Sequence, residues 1–350
     1  MQQNWKEFLI DNGAEFEADQ LVSFGNPSRE SRIPPQGSVL SDLSNRGIIE
    51  VHGKDAESFL QNQLTNDISR VTATRHQLSA WCNPKGRVIA SFYVFKRGKS
   101  YYLTVSADLV EFVIKKLRMY VMMLDVTLED SSKSLIHFGY AGEQAEQDLQ
   151  TILGIDKVPT ETQQTLQQNT LSILRLPGSV PRFEIFGELE GAKNLWEHCN
   201  VRAAPVNSSG WDYLNIVAGL PVVCEASSTA WIPQMLNFQV LDGLDFKKGC
   251  FPGQEIVARL KYLGKNKRRM YRIEINSNVL PEIGQKIYAE GETSYTGKIL
   301  TTVMNPSGNA EALAVLKIAL ADKPLSLDQT RTNQQDNITL LELPYSVDKD

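Results

Sequence analysis

A chain of 350 residues with 42% hydrophobic and 22% charged residues can hold two or three domains with real cores, and its composition is ordinary for a soluble globular protein. A net charge of −5 argues against nucleic-acid binding by the whole surface, and no apolar run reaches membrane-spanning length. Four cysteines, Cys82, Cys199, Cys224 and Cys250, show no Cys-x-x-Cys spacing, which argues against a self-contained zinc or four-cysteine cluster site and suits a reducing compartment. The first seven residues lack a basic region followed by an apolar core, so no signal peptide is expected and the predicted location is cytoplasmic.

Residues 5–12 carry the spacing of a short amphipathic helix, and the polar, proline-containing stretch 26–37 reads as loop. A strand at 47–53 ends at Gly53. Asp55 then serves as an N-cap for a helix with Phe59, Leu60 and Leu64 on one face, and Thr65-Asn66-Asp67 make a turn. His52 stands alone and reads as structural. The runs 78–82 and 87–95 flank Asn83-Pro84-Lys85-Gly86, turn chemistry that predicts a hairpin. Lys85 and Arg87 near its tip either meet an anion or form a generic basic turn. A strand at 101–105, a helix capped by Asp108 and reaching Tyr120, and a strand at 124–128 complete an alternation that reads as one α+β unit over 54–137.

A strand at 135–139 and a helix at 141–153 come next, then a Gln- and Thr-rich stretch at 159–169 that reads as a mobile loop. Strands 171–176 and 182–186 pair around Pro177-Gly178, with alternation setting Phe183 and Ile185 on the face opposite Arg182 and Glu184. Helices at 189–199 and 211–218 follow, the second stopped by Gly219 and Pro221. After Gly264 the pattern is all strand, at 270–275, 285–288, 296–304 and 312–318, which suggests a small β-barrel. A polar loop at 330–337 leads to 338–343, a strand able to close the barrel, and the final residues read as disordered.

Between these parts lies Lys247-Lys248-Gly249-Cys250-Phe251-Pro252-Gly253-Gln254-Glu255. It sets a thiol after a flexible glycine, with two ammonium groups before it and a helix at 254–263, stopped by Gly264, after it. A helix N-terminus and Lys248 would both favour a thiolate at Cys250. The plainer reading is a small buried cysteine at a strand-to-helix corner. From Asp245 to Arg272 there are nine Lys and Arg against two Asp and Glu, a basic strip that would attract an anion or simply be solvated.

The wording Lys-Gly-Cys-Phe-x-Gly-Gln-Glu resembles the signature of the YgfZ family, folate-binding proteins of the glycine-cleavage T-protein superfamily that act in iron–sulfur protein maintenance. Trp231-Ile232-Pro233-Gln234, Ala258-Arg259 and Asn266-Lys267-Arg268 agree with it, as do Phe59-Leu60-Gln61-Asn62-Gln63-Leu64-Thr65-Asn66-Asp67 and Cys82-Asn83-Pro84-Lys85-Gly86-Arg87. The resemblance implies an α+β, three-domain T-protein-like fold. Its parts would be a discontinuous folate-binding domain (1–53 and 138–262), an inserted α+β domain (54–137) and a C-terminal β-barrel (263–345).

T-proteins carry a catalytic Asp in the strand after the glycine turn, whereas Gly86-Arg87-Val88-Ile89-Ala90-Ser91 has no carboxylate. Their Gly-Ala-Arg-Asp segment, whose Arg meets the folate tail, is matched here by Gly210-Trp211-Asp212, without the Arg. Glu184 does sit where T-proteins place a Glu against the pterin edge; an exposed strand Glu is the alternative. The resemblance therefore implies a tetrahydrofolate-binding accessory protein for assembly or repair of iron–sulfur enzymes, including tRNA-modifying ones. Cys250 would be its functional thiol, with Lys248 beside it. Folate contacts would come from Glu184, Asn66, Asp67, Trp81, Arg87, Gln254, Glu255 and Arg259. No metal site is intrinsic, but Cys250 could ligate an iron–sulfur cluster shared with a partner, an assembly or client protein. Rival readings are an aminomethyltransferase and an RNA-contacting module on the strip 261–272, with weak tRNA contact and no membrane partner.

Overall fold

Every residue of the strand Arg182–Gly187 is buried, although its sequence alternates apolar and charged side chains. The cause is a sheet covered on both faces. In this computed structural model, which describes residues 1–327 and 337–347, the chain divides into two compact units. The first comprises Met1–Leu60, Ile68–Gln77 and Phe92–Leu214; the second comprises Gln61–Asp67, Leu78–Ser91 and Asn215–Asp350.

In the first unit a six-stranded sheet runs in the order Thr165–Gln168, Leu171–Leu176, Arg182–Gly187, Ile136–Ala141, Val39–Asp42 and Ala204–Val206. All pairs are antiparallel except the last. One face packs on helices Gln3–Asp11, Ala145–Leu153 and Leu189–Asn200 through Trp5, Phe138, Phe183, Leu149 and Trp196. The other face carries Val39, Ala141 and Leu176 against Trp211 and Leu214. Gly139 permits this second layer, because a β-carbon there would stand 2.6 Å from the Trp211 ring. A smaller sheet sets Arg46–His52 between Ser100–Ser106 and Thr127–Asp130, covered by helix Val110–Arg118 through Val113 and Leu117.

The second unit holds the hairpin at 78–91, helix Gln254–Leu263 and a closed barrel. The barrel strands follow the order Arg268–Ile275, Ala310–Lys317, Gly297–Met304, Lys286–Ala289, Leu325–Ser326 and Asn337–Leu341. Ala310, Ala312 and Ala314 leave room inside for Ile273, Ile275, Ile287 and Ile299, the small-against-large filling that a narrow barrel needs.

Several sequence expectations shift. The stretch 26–37 contains a short helix, Pro27–Glu30, because the Asn26 side chain accepts the Arg29 N–H and Pro27 fits the first helical position. The stretch 159–169 is not all loop: Thr165–Gln168 forms an edge strand, where polar side chains are tolerated. Asp108 is not the cap of its helix; it lies in a 3-10 turn and Leu109 occupies that position. The strand expected at 124–128 is Thr127–Asp130, and the helix expected from 141 begins at Ala145. The strands Val39–Asp42 and Ala204–Val206 carry no signal that the sequence reading used. The polar loop at 330–337, apart from Asn337, and the last three residues lie outside the described residues.

Candidate functional site

Lys248 explains how the cysteine loop is held. Its Nζ donates to the carbonyl oxygens of Gln61 (2.6 Å), Leu64 (2.5 Å) and Asn66 (3.1 Å). These carbonyls lie at and just beyond the end of helix Ala56–Gln63, where backbone acceptors lack helical partners and a cation suits the dipole. Burial pulls the Lys248 ammonium down to about 8 against the attraction of Asp67 and Asp245, so it remains largely protonated at neutral pH. Asp245 ties the loop from behind: its Oδ1 accepts the backbone N–H of Lys247 (2.6 Å) and Lys248 (3.2 Å). The Asp245 N–H in turn donates to the Thr65 carbonyl.

The sequence reading has Lys248 add a full positive charge near the thiol. In the structure that ammonium is held by three carbonyls and the residue is 9% exposed, so it also anchors the loop.

Two glycines fix the other end of the loop. Gly253 has φ +81, and a β-carbon on it would stand 2.5 Å from both the Asn83 carbonyl oxygen and Gly86 Cα. Gly86, at φ +70, meets Ile256 and the Gly253 carbonyl in the same way. The hairpin tip therefore lies directly on the start of helix Gln254–Leu263, a contact that only glycine allows. Between the two anchors Phe251 is buried, with Lys248 Nζ 5.5 Å from its ring centre. Gly249 and Cys250 are left exposed.

Cys250 is the one exposed cysteine; Cys82 and Cys199 are buried, which pushes their thiols up, and Cys224 is half-buried. The corner-cysteine alternative is thus overturned on burial. Among the described residues no three of His, Cys, Asp and Glu gather as a metal-binding group.

The remaining expected contacts in this unit separate into frame and surface. Asn66 belongs to the frame, since its Nδ2 donates to the carbonyls of Leu78 (2.9 Å) and Asp242 (2.6 Å) and its Oδ1 accepts the Asp67 N–H. Trp81 is buried and bridges to Leu64. Asp67 is half-buried and accepts from Gln61 Nε2 at 3.0 Å. Gln254 is half-buried, its Nε2 3.5 Å from the Gly249 carbonyl. Arg87, Glu255 and Arg259 are exposed, and Arg87 Nη1 donates to the Ala230 carbonyl at 2.5 Å.

Glu184 belongs to the first unit and is 1% exposed, so the exposed-strand alternative fails. Its Oε2 lies 3.1 Å from His137 Nε2 and its Oε1 accepts Trp211 Nε1–H at 3.1 Å. The His137 ring stacks on Phe186 at 4.1 Å. Burial works to raise this carboxyl, but His137, Arg46 and Trp211 outweigh it and hold it down at about 2. Arg46 pairs with Asp212 at 2.9 Å. Arg182 donates to the Leu214 and Pro177 carbonyls with its guanidinium 4.7 Å from the Trp211 ring centre. His137, Trp211, Arg46 and Asp212 were missed as members of this cluster. Trp211-Asp212 stood out only as a departure from the T-protein wording, and no local signal marks Arg46.

Lys248→Met removes the donor from three carbonyls, and at about 1 kcal/mol each the loss should be roughly 3 kcal/mol, read as a lower urea midpoint. An unchanged midpoint would mean that water replaces the ammonium without cost. For Glu184 the folded value lies below the ordinary 4.5, so its contribution is present above 4.5 and disappears as pH falls towards 2. That contribution is about 3 kcal/mol. Glu184→Gln should be less stable at neutral pH and lose less between pH 4.5 and 2 than the parent chain. Parallel stability curves across that window would remove Glu184 as the acid-sensitive group.

The GCVT N-terminal domain profile matches residues 14–197. The chain is 31% identical over 314 residues to the tRNA-modifying protein YgfZ of Yersinia pestis, covering 89% of this chain and 94% of that one. It is 29% identical over 325 residues to YgfZ of Escherichia coli O6:H1, covering 92% and 97%. Among solved structures, the glycine cleavage system aminomethyltransferase T from Bartonella henselae superposes with a TM-score of 0.76 over 98% of this chain and 97% of that one. At 15% identity that likeness is one of fold, and it agrees with the expected α+β T-protein architecture and its terminal barrel. The chain belongs to the GCVT superfamily and, within it, to the family of the tRNA-modifying protein YgfZ.

Proposed function

We infer that the protein is a tetrahydrofolate-binding accessory protein of the cytoplasm that supports assembly or repair of iron–sulfur enzymes, including tRNA-modifying ones, with Cys250 as its working thiol. The observation that carries this reading is an exposed thiol on a loop pinned on either side, by the Lys248 carbonyl cage and by the Gly86–Gly253 contact. A frame of that kind holds the sulfur in place without covering it. Thiolate sulfur suits iron, and one thiolate fills one coordination position, so the other ligands of a cluster would come from a partner protein.

Folate binding rests on the superfamily resemblance and on Glu184. The neighbours of Glu184 keep it ionised, and because its oxygens are enclosed by His137 and Trp211, a pterin edge would have to take the place of one of those donors. One-carbon transfer is disfavoured, because residues 87–91 offer no carboxylate to stabilise a developing cation. The exposed Lys261, Lys265 and Lys267 suit weak tRNA contact. The three-domain division, with 54–137 as an insert, goes with this reading.

Cys250→Ala should abolish in-cell rescue of iron–sulfur enzyme activity with an unchanged melting temperature; full rescue by the alanine variant takes the thiol out of the account. Tetrahydrofolate should raise the melting temperature in proportion to saturation, with the response weakened in Glu184→Gln. A flat titration up to millimolar ligand would rule folate out.

A further inference from the structure

In the first unit six large apolar side chains lie exposed close together in the chain: Phe112, Met119, Tyr120, Met122, Met123 and Leu124. Met122 is 86% exposed and Met123 99%. Single exposed apolar residues are ordinary, but a run of them marks a surface made for contact. The tip of this run is also held firmly. Its turn closes through the Leu124 N–H on the Val121 carbonyl at 2.8 Å, with Met122 at φ +46, a strained conformation for a residue other than glycine. Its foot is tied down twice: the Asp125 N–H donates to Asp55 Oδ2 at 2.8 Å, and the Asp55 N–H donates to the Asp125 carbonyl at 3.2 Å. Two thioethers are thus presented outward on a fixed base.

The helix before the tip, Val110–Arg118, supplies the rest of the surface. Val113 and Leu117 bury its inner side. Phe112 and Met119 are a heptad apart, so they stand on one outward line about 10 Å long, with Lys115 on one flank and Lys116 on the other. Both lysines are exposed, and Lys116 Nζ lies 6.0 Å from the Phe112 ring centre.

This arrangement selects its occupant by charge. Antiparallel pairing of the line with a second copy would match Phe112 to Met119 and therefore Lys115 to Lys116; parallel pairing also brings lysine to lysine. Like charges set face to face oppose self-association. An anionic membrane would meet a broader area, in which exposed Glu111, Asp125, Glu129 and Asp130 offset Lys115, Lys116 and Arg118, so it gains no net attraction. A narrow segment that follows the line meets the two lysines alone.

We propose that this face docks an amphipathic helix of a partner protein. Apolar side chains a heptad apart seat against Phe112 and Met119, one end reaches the methionine tip, and carboxylates between the apolar positions meet Lys115 and Lys116. Unbranched, polarisable methionines let one surface accept apolar side chains of different shape. The thiol loop and the Glu184 cluster play no part in this inference.

The test uses the full chain in cells, with the photo-crosslinker benzoylphenylalanine in place of Met123. The control carries it in place of Val201, an exposed residue at the end of helix Leu189–Asn200. Mass spectrometry of the cross-linked peptide should show a segment of a different protein with apolar residues a heptad apart and Asp or Glu between them, absent from the Val201 sample. A synthetic peptide of that segment should bind the unmodified chain saturably in calorimetry. It should bind the double variant Lys115→Glu, Lys116→Glu at least about tenfold more weakly, with the fold intact by circular dichroism. Reversing the acids of the peptide to lysine should restore binding to the double variant. The proposal is overturned if no protein is cross-linked at position 123, or if the cross-link joins two copies of this chain or a lipid. It is also overturned if the captured segment lacks the acids, or if its binding survives the lysine reversal.

Discussion

The contact between Gly86 and Gly253 is the constraint on which the second unit's surface depends. Both residues sit at positive φ, and both lack the β-carbon that would push the hairpin tip away from the helix. A side chain at either place would meet backbone or a neighbouring side chain within about 3 Å, a separation at which repulsion dominates. With the tip seated, the loop between Lys248 and Gly253 has little freedom. Its two bulky members face inward, Lys248 onto carbonyls and Phe251 into the interior. Outward exposure of Cys250 then follows from its neighbours, not from a preference of its own.

In the first unit the governing fact is that a charged strand runs through a sheet covered on both faces. An isolated carboxylate in that position would be costly, and burial alone would neutralise it. Glu184 remains charged because His137 and Trp211 each give it a hydrogen bond and Arg46 adds positive charge nearby. The cluster also gives the Trp211 ring a use on both sides, one edge donating to Glu184 and one face under the Arg182 guanidinium. Such a network is stable only when complete, so its members have to be understood together.

How much of this was legible in the sequence follows from the range of the forces. Helix Gln254–Leu263 was read to the residue because its limits are set locally, by Gly253 before it and Gly264 after it. The barrel was read because alternation and turn residues are local as well. The Lys248 cage was not, since its carbonyls come from residues 61, 64 and 66, far away in the chain, and backbone acceptors leave no mark in a sequence. The burial of Glu184 was hidden for a related reason: the second face of its sheet is covered by Trp211, 27 positions further on. The edge strand Thr165–Gln168 failed differently. Its polar residues look like loop, and only the partner strand Leu171–Leu176 makes them a strand.

These placements define the charges around the thiol. A lysine two residues before a cysteine suggests a direct electrostatic effect, and the ammonium of Lys248 is fixed in place by three carbonyls. Neutral carbonyls fix the position of that charge without cancelling it, so its field still reaches beyond them. Positive potential near Cys250 has three sources: Lys248 held among carbonyls, Lys247, which is exposed, and the start of helix Gln254–Leu263, where Gly253 supplies no capping side chain. The two adjacent lysines thus differ in surroundings: Lys248 is buried and fixes the loop through its carbonyls, while Lys247 is left exposed on that loop.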